Sequence, residues 1–388
     1  LSGASEGVSR LEFRDPILGR ALVARLGRAV DEAGRTVSVM HVCGSHEQAL
    51  ARYGLRSTFP PGLRVVMGPG CPVCVTDAPE IDAAIELCEA GVHVLTYGDM
   101  LRVPGQTISL EQARAAGGRV SVVYSALQAV DIARRDPEPV VFFATGFETT
   151  AVATAAMLED DPPANLFVLS AHKYVLPAMQ VVAASPDSRI EGFLAAGNAA
   201  IITGYGLFKP FVDETRLPVV VAGFEPLDML AALVKLVELV VADRPEVINA
   251  YPRCVSRDGN RRALAALFRV FERQDGEWRG IARIPGGNLQ LRPAFAAHDA
   301  REHFALRDGR VLSVEEQARA AACRCGSIMV GTAQPNDCAL FEGECRPESP
   351  RGACMVSSEG ACRIWHEHGL GRRSDGDLVA LRREGAGP

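Results

Sequence analysis

Two thiols three positions apart, in the run Gly68-Pro-Gly-Cys-Pro-Val-Cys74, are the first residues of this 388-residue chain that point to chemistry. A Gly-Pro-Gly turn precedes Cys71, and a helix start follows Cys74, with Asp77 as N-cap and Pro79 in the first turn. Thiols placed where a strand ends and a helix begins lie close to unpaired backbone N–H groups. Those groups favour the thiolate, the form that attacks disulfides and binds metal. A zinc half-site or two buried thiols fit the same spacing. Further cysteines shift the balance.

Six of the eleven cysteines, Cys323, Cys325, Cys338, Cys345, Cys354 and Cys362, crowd one irregular stretch. A loop-rich segment of that kind needs a covalent or metal staple. Four thiolates hold either zinc or a 4Fe–4S cluster, and local spacing does not separate the two. Six leave a pair over, enough for a disulfide. Cys43, His46 and Glu47 form a third group, in which thiol and imidazole hold a metal or the imidazole activates the thiol. Taken alone, that triplet reads as a solvent-facing turn. Cys88 lies on an apolar helix face and Cys254 has no partner pattern, so both are expected in the core. Asp99, Glu148, His172 and Glu225 are individually weak candidates for groups that support a ligand from behind.

The elements that must position these residues alternate. Strands are expected at 36–42, 63–67, 92–97, 119–124, 139–144, 165–170, 191–194 and 217–221. Helices are expected between them, as well as at 17–33, with Leu18, Leu22, Val23 and Leu26 on one face, and at 227–241. Such alternation argues for parallel sheets with helices on both faces. Nearly every polar or Gly-rich motif follows a strand, at the edge where open α/β sheets bind ligands. Two α/β domains facing a cleft are therefore expected, over residues 11–130 and 131–242, with a less regular region at 243–370. Residues 1–10 and the tail beyond Gly369 are expected to be loose.

Composition narrows the function classes. Hydrophobic content of 48% with 23% charged residues is that of a soluble globular protein. A formal net charge of −6, without a long basic run, argues against a nucleic-acid surface. No stretch is apolar and long enough to span a bilayer, and no signal-peptide pattern opens the chain. Eleven cysteines at this length fit cytoplasmic metal or redox chemistry better than a secreted disulfide scaffold.

Together the motifs resemble one family closely, the NiFe-hydrogenase maturation protein HypD. The resemblance runs from Leu11-Glu-Phe-Arg-Asp-Pro16 to about His366. It rests on Cys43-Gly-Ser-His-Glu47, Gly68-Pro-Gly-Cys-Pro-Val-Cys74 and Tyr97-Gly-Asp-Met-Leu-Arg-Val-Pro-Gly105. It continues through Thr145-Gly-Phe-Glu-Thr-Thr150, Val221-Ala-Gly-Phe-Glu-Pro226 and Met355-Val-Ser-Ser-Glu-Gly-Ala-Cys362. The resemblance implies two α/β domains plus an iron–sulfur region, and a scaffold on which iron receives cyanide and carbon monoxide as an Fe(CN)2CO unit. It implies a small HypC-type chaperone, a HypE-type partner carrying cyanide as a thiocyanate, and a hydrogenase large subunit reached indirectly. It also implies Cys325, Cys338, Cys345 and Cys362 as 4Fe–4S ligands, with Cys323 and Cys354 left to pair as a disulfide. Cys323, beside Cys325, is the alternative ligand. Cys43 becomes the transient iron ligand, with His46, Glu47, Cys71 and Cys74 as its reactive company and Asp99, Glu148 and Glu225 as cofactor-binding groups. One departure stands out: Ala196-Gly197-Asn198 replaces the family's Pro-Gly-His. The competing readings are an iron–sulfur-dependent thiol–disulfide oxidoreductase and a zinc-stabilised binding module.

Overall fold

The computed structural model describes residues 13–306 and 322–370. The expectations for residues 1–10 and for the tail from residue 371 onward lie outside the described residues. Two sheets organise the rest. In the first, β1 (Val37–His41) pairs in parallel with β2 (Leu63–Met67) on one side and β7 (Phe193–Ala196) on the other. It continues in parallel through β8 (Val219–Ala222) to β9 (Val247–Asn249). The second sheet has β3 (His93–Thr96), β4 (Val120–Val122), β5 (Val140–Gly146) and β6 (Leu166–Lys173) in parallel, in the order β4-β3-β5-β6. The hairpin of β10 (Phe271–Trp278) and β11 (Ala282–Leu291) adds to β6 in antiparallel fashion. The α/β architecture with parallel-dominated sheets is as expected.

The division at residue 130 is not. The chain leaves the first sheet after β2, builds the parallel part of the second, and returns at β7, where Met40 faces Phe193 and His41 faces Leu194. Residues 37–67 thus belong with 193–249. Alternation along the chain reports the order of strands and helices, not which strand pairs with which, so no local signal marked the return.

The segment after 242 is also more regular than expected. It contributes β9, a helix at Arg261–Val270 and the β10–β11 hairpin. In β10 only Phe271, Gly276 and Trp278 are buried, so the polar residues between them mask the strand pattern. A bulge between Gln274 and Gly276 breaks the alternation further. Among the described residues after 242, the stretch 322–370 is the least regular, with short helices alternating with turns.

Helices cover both faces of the sheets. The Pro16–Ala33 and Pro226–Val241 helices bury Leu26, Val30, Met229, Leu233 and Val237 against the first sheet. Asp15 caps the first of these, accepting from Ile17 N at 2.7 Å, a contact worth about 1 kcal/mol. Leu18, expected on the packed face, is 53% exposed. On the second sheet, the Ala78–Glu89 helix packs one face, with Ile81 and Ile85, and the Glu148–Glu159 helix packs the other, with Ala151 and Ala155. Lys173 is fully buried and donates to Glu80 Oε2 at 2.8 Å and to Asn288 Oδ1 at 3.0 Å. That ion pair fastens β6 to the helix that follows Cys74, the Asn288 bond adds the hairpin, and removing either charged partner would leave a buried charge unpaired.

Candidate functional site

Cys43 follows β1 and Cys71 follows β2, and because these strands are neighbours their carboxyl ends meet. Gly44 N donates to Gly70 O at 3.0 Å. The approach is close: a Cβ on Gly70 would lie 2.1 Å from Cys43 N, so no other residue fits there without moving the Cys43 backbone. Cys43 occupies the N-cap of the Gly44–Arg52 helix and is 4% exposed. Burial dominates its thiol and pushes the pKa up to about 12, the charge of Glu359 adding to the effect. The neighbouring backbone N–H groups of His46 and Ser45 oppose this without prevailing. The free thiol is therefore neutral, and a bound metal ion is what would deprotonate it.

His46 is fully buried, and burial drives its pKa down to about 3, so the ring is neutral. Its Nε2 donates to Ala222 O at 3.3 Å, while Nδ1 has no partner. That tautomer leaves a lone pair on Nδ1. Phe224 holds the ring from one side at a centroid distance of 5.0 Å.

Glu47 departs from its expected reactive role. Burial alone would raise its pKa, but Arg56 and His41 outweigh it and hold the carboxyl well below the usual carboxylate range. His41 Nε2 donates to Oε2 at 2.8 Å, Arg56 Nε to Oε1 at 2.8 Å, and Trp365 Nε1 to Oε1 at 2.9 Å. A carboxylate so engaged anchors the fold and has no proton to exchange. Nothing in the sequence singled out His41, Arg56 or Trp365.

Cys71 and Cys74 form a disulfide, and both are buried. They share one apolar core with Trp278, Met355, Cys325, Cys345, Cys354 and Cys362. Beside them lies a small cavity lined by Cys323, Cys325, Cys338, Cys345 and Cys362, with Ile328, Leu340, Phe341 and Met355. All four cysteines expected as cluster ligands are in that ring. The expected Cys323–Cys354 disulfide is absent: both thiols are free, Cys323 Sγ lies 3.2 Å from Cys325 Sγ, and Cys354 does not line the cavity. Among the described residues no three His, Cys, Asp or Glu side chains converge on a single metal ion. Five soft thiols around an apolar, enclosed space are a donor set that suits an iron–sulfur cluster. Of the two cysteines expected in the core, Cys88 is buried and Cys254 is exposed.

The expected supporting carboxylates divide. Asp99 Oδ2 accepts from Ser357 Oγ and Ser358 N, both at 3.1 Å, which ties the loop after β3 to the segment before Cys362. The next residue, Glu359, accepts from Ser45 Oγ at 2.9 Å. It presses on Gly44, where a Cβ would lie 2.5 Å from Glu359 Cβ. Burial, eased by the Ser45 bond, raises the Glu359 pKa. Ser45 and Glu359 were not singled out from the sequence, although both lie inside its motifs. With Gln48, Ser358 and Glu367 they line an open pocket. Glu225, in contrast, is paired with Arg14 at 2.7 Å and caps the Pro226–Val241 helix. Glu148 belongs to the second sheet's edge, accepts from Val175 N at 2.9 Å, and is pushed by burial to about 7. His172, within β6, bonds Thr154 Oγ1 at 2.9 Å, and burial lowers its pKa to about 3. Asn198 is exposed, on the helix whose Ala199 packs with Ala196 against Cys43.

Interleaved α/β sheets, with a buried disulfide beside the Cys43 loop and in one core with Cys325, Cys345 and Cys362, define an α/β protein with its cysteines gathered in few places. The family model HypD, described as the hydrogenase formation hypA family, matches residues 18–369. Hydrogenase maturation factor HypD of Rhodobacter capsulatus is 40% identical over 375 residues, covering 94% of this chain and 99% of the relative. Its counterpart of the same name in Cupriavidus necator is 41% identical over 382 residues, covering 95% and 98%. A putative hydrogenase expression/formation protein of Methanocaldococcus jannaschii is 36% identical over 362 residues, covering 92% and 99%. The chain belongs to the HypD family. Among the described residues no helix is long and apolar enough to cross a membrane.

Proposed function

We propose that this protein is a hydrogenase maturation factor, a scaffold that holds iron at Cys43 while cyanide and carbon monoxide are attached. The observation that carries the reading is the contact between the Cys43 and Cys71 loops, through Gly44 and Gly70, with the disulfide sharing a core with Cys325, Cys345 and Cys362. Iron is the cargo. On binding it, Cys43 Sγ would give up its proton and ligate through sulfur, and His46, three residues on, would offer its unpartnered Nδ1. A HypC-type chaperone would supply a further ligand, and the open pocket beside Ser45 and Glu359 leaves room for one at this edge. A HypE-type partner would deliver the cyanide, and the finished Fe(CN)2CO unit would pass with the chaperone to the hydrogenase large subunit, in the cytoplasm.

Cys325, Cys338, Cys345 and Cys362 would hold a 4Fe–4S cluster, which supplies one-electron transfer when bound. Opening the Cys71–Cys74 bond takes two electrons and two protons and yields two thiols. Both sulfurs are buried, so the couple is screened from protein substrates. That disfavours a general thiol–disulfide oxidoreductase. The test is complementation of a host lacking its own HypD-type factor. Wild-type protein should restore hydrogenase activity and Cys43→Ala should not. Full restoration by Cys43→Ala would overturn the reading.

A further inference from the structure

The β10–β11 hairpin turns at Arg279 and Gly280, and this turn is wedged between the disulfide and the cysteine ring. Arg279 N donates at 3.0 Å to the carbonyl of Val75, in the short helix that carries Cys74. The Arg279 guanidinium donates to Pro104 O. Gly280 lies directly on Gly326, the neighbour of Cys325: a Cβ on Gly326 would come within 1.8 Å of Gly280 O. One residue before the turn, Trp278 shares the core of Cys71, Cys74, Cys325, Cys345 and Cys362.

The side chain of Arg279 is half-buried. Burial works against its charge, while Asp77, Cys325 and Cys323 all favour the cation. A guanidinium stays charged under such conditions. Arg351 N also reaches the ring, donating to Cys345 Sγ at 3.3 Å, but it is a neutral donor.

We propose that Arg279 is the electrostatic tuning residue of the cysteine ring, its fixed positive charge at the turn packed on Gly326, the neighbour of Cys325, making a cluster bound there easier to reduce. The inference rests on the cluster reading given above. Reduction by dithionite adds one electron to the cluster and breaks no bond in the protein. The reduced form is one charge more negative, so a nearby cation stabilises it more than the oxidised form. Net charge and hydrogen bonding around the sulfurs are the levers by which a protein sets such a potential. A partly buried charge acts with little screening by salt.

The test uses full-length wild type, Arg279→Gln and Arg279→Lys, purified without oxygen. Iron and sulfide are assayed, and each midpoint is read by electron paramagnetic resonance during a dithionite titration. Arg279→Gln should hold the same iron and sulfide and show a more negative midpoint, with Arg279→Lys nearer to wild type. An unchanged midpoint in Arg279→Gln at full cluster content overturns the proposal. Loss of the cluster in Arg279→Gln, with Arg279→Lys keeping it near the wild-type midpoint, supports it, because charge is then what the site requires. Loss in both variants overturns it in favour of a structural strut to Pro104. Iron-free wild type overturns the cluster reading itself, a separate result.

Discussion

The indole N–H of Trp365 donates to Glu47 Oε1 at 2.9 Å, across 318 positions of sequence. The bond fastens the helix that begins after Cys43 to the helix that carries Cys362, so the thiol of one candidate site and a thiol of the other are held by a single carboxylate. Glu47→Ala would leave buried His41 and half-buried Arg56 without their partner, at a cost of about 3–5 kcal/mol. Trp365→Phe removes one hydrogen bond to a charged group and should cost about 1.5–3 kcal/mol. Urea unfolding of both variants measures this, and a Glu47→Ala midpoint equal to wild type would contradict it.

Acid should expose the same network. The folded Glu47 pKa lies below its ordinary value of 4.5. The folded state therefore binds fewer protons than the unfolded state in that window, and stability falls as pH falls. The Glu47 contribution is complete above about pH 4.5 and is lost progressively below it. Unfolding midpoints from pH 7 to pH 3 should drop more steeply for wild type than for Glu47→Gln. Parallel curves would remove Glu47 as the source.

Thiol labelling of the native protein separates exposure from reactivity. Helix-end position suggests that Cys71 and Cys74 react first, but both are buried and disulfide-bonded, whereas Cys254 is exposed. An alkylating reagent should therefore modify Cys254 first. Mass mapping checks the order, and modification of Cys71 or Cys74 ahead of Cys254 would refute it.

The ring makes a graded prediction about iron. Cys338→Ala and Cys362→Ala each remove a thiol that lines the cavity and should lower bound iron sharply. Cys354→Ala removes one that does not and should leave iron nearly unchanged. Cys323→Ala should fall between, since its sulfur lies beside Cys325. Elemental analysis decides, and full iron in both Cys338→Ala and Cys362→Ala rules out the ligand set.

Strand positions and the loops that follow them were legible in the sequence, because buried parallel strands are short apolar runs between turn residues. So were Cys43, the Cys71–Cys74 pair and the cysteine ring, whose spacing and crowding are local. Pairing was not legible: the β1–β7 contact joins Met40 to Phe193 with no mark in either segment. The β10–β11 hairpin was hidden by its polar face, and with it Arg279. Glu47 was misread for a related reason, since its partners Arg56 and Trp365 come from separate parts of the chain. The exposure of Cys254 likewise depends on packing that no neighbouring residue announces.

Infrared spectroscopy of the protein co-purified with its HypC-type chaperone tests the central claim most directly. Thiolate suits an electron-rich iron carrying cyanide and carbon monoxide better than carboxylate does. Wild type should show Fe–CN and Fe–CO bands together with the cluster's absorption. Cys43→Ala should lose the infrared bands and keep that absorption, and His46→Ala should weaken the bands less. Unchanged bands in Cys43→Ala would contradict the account and move the iron to the Cys71–Cys74 pair.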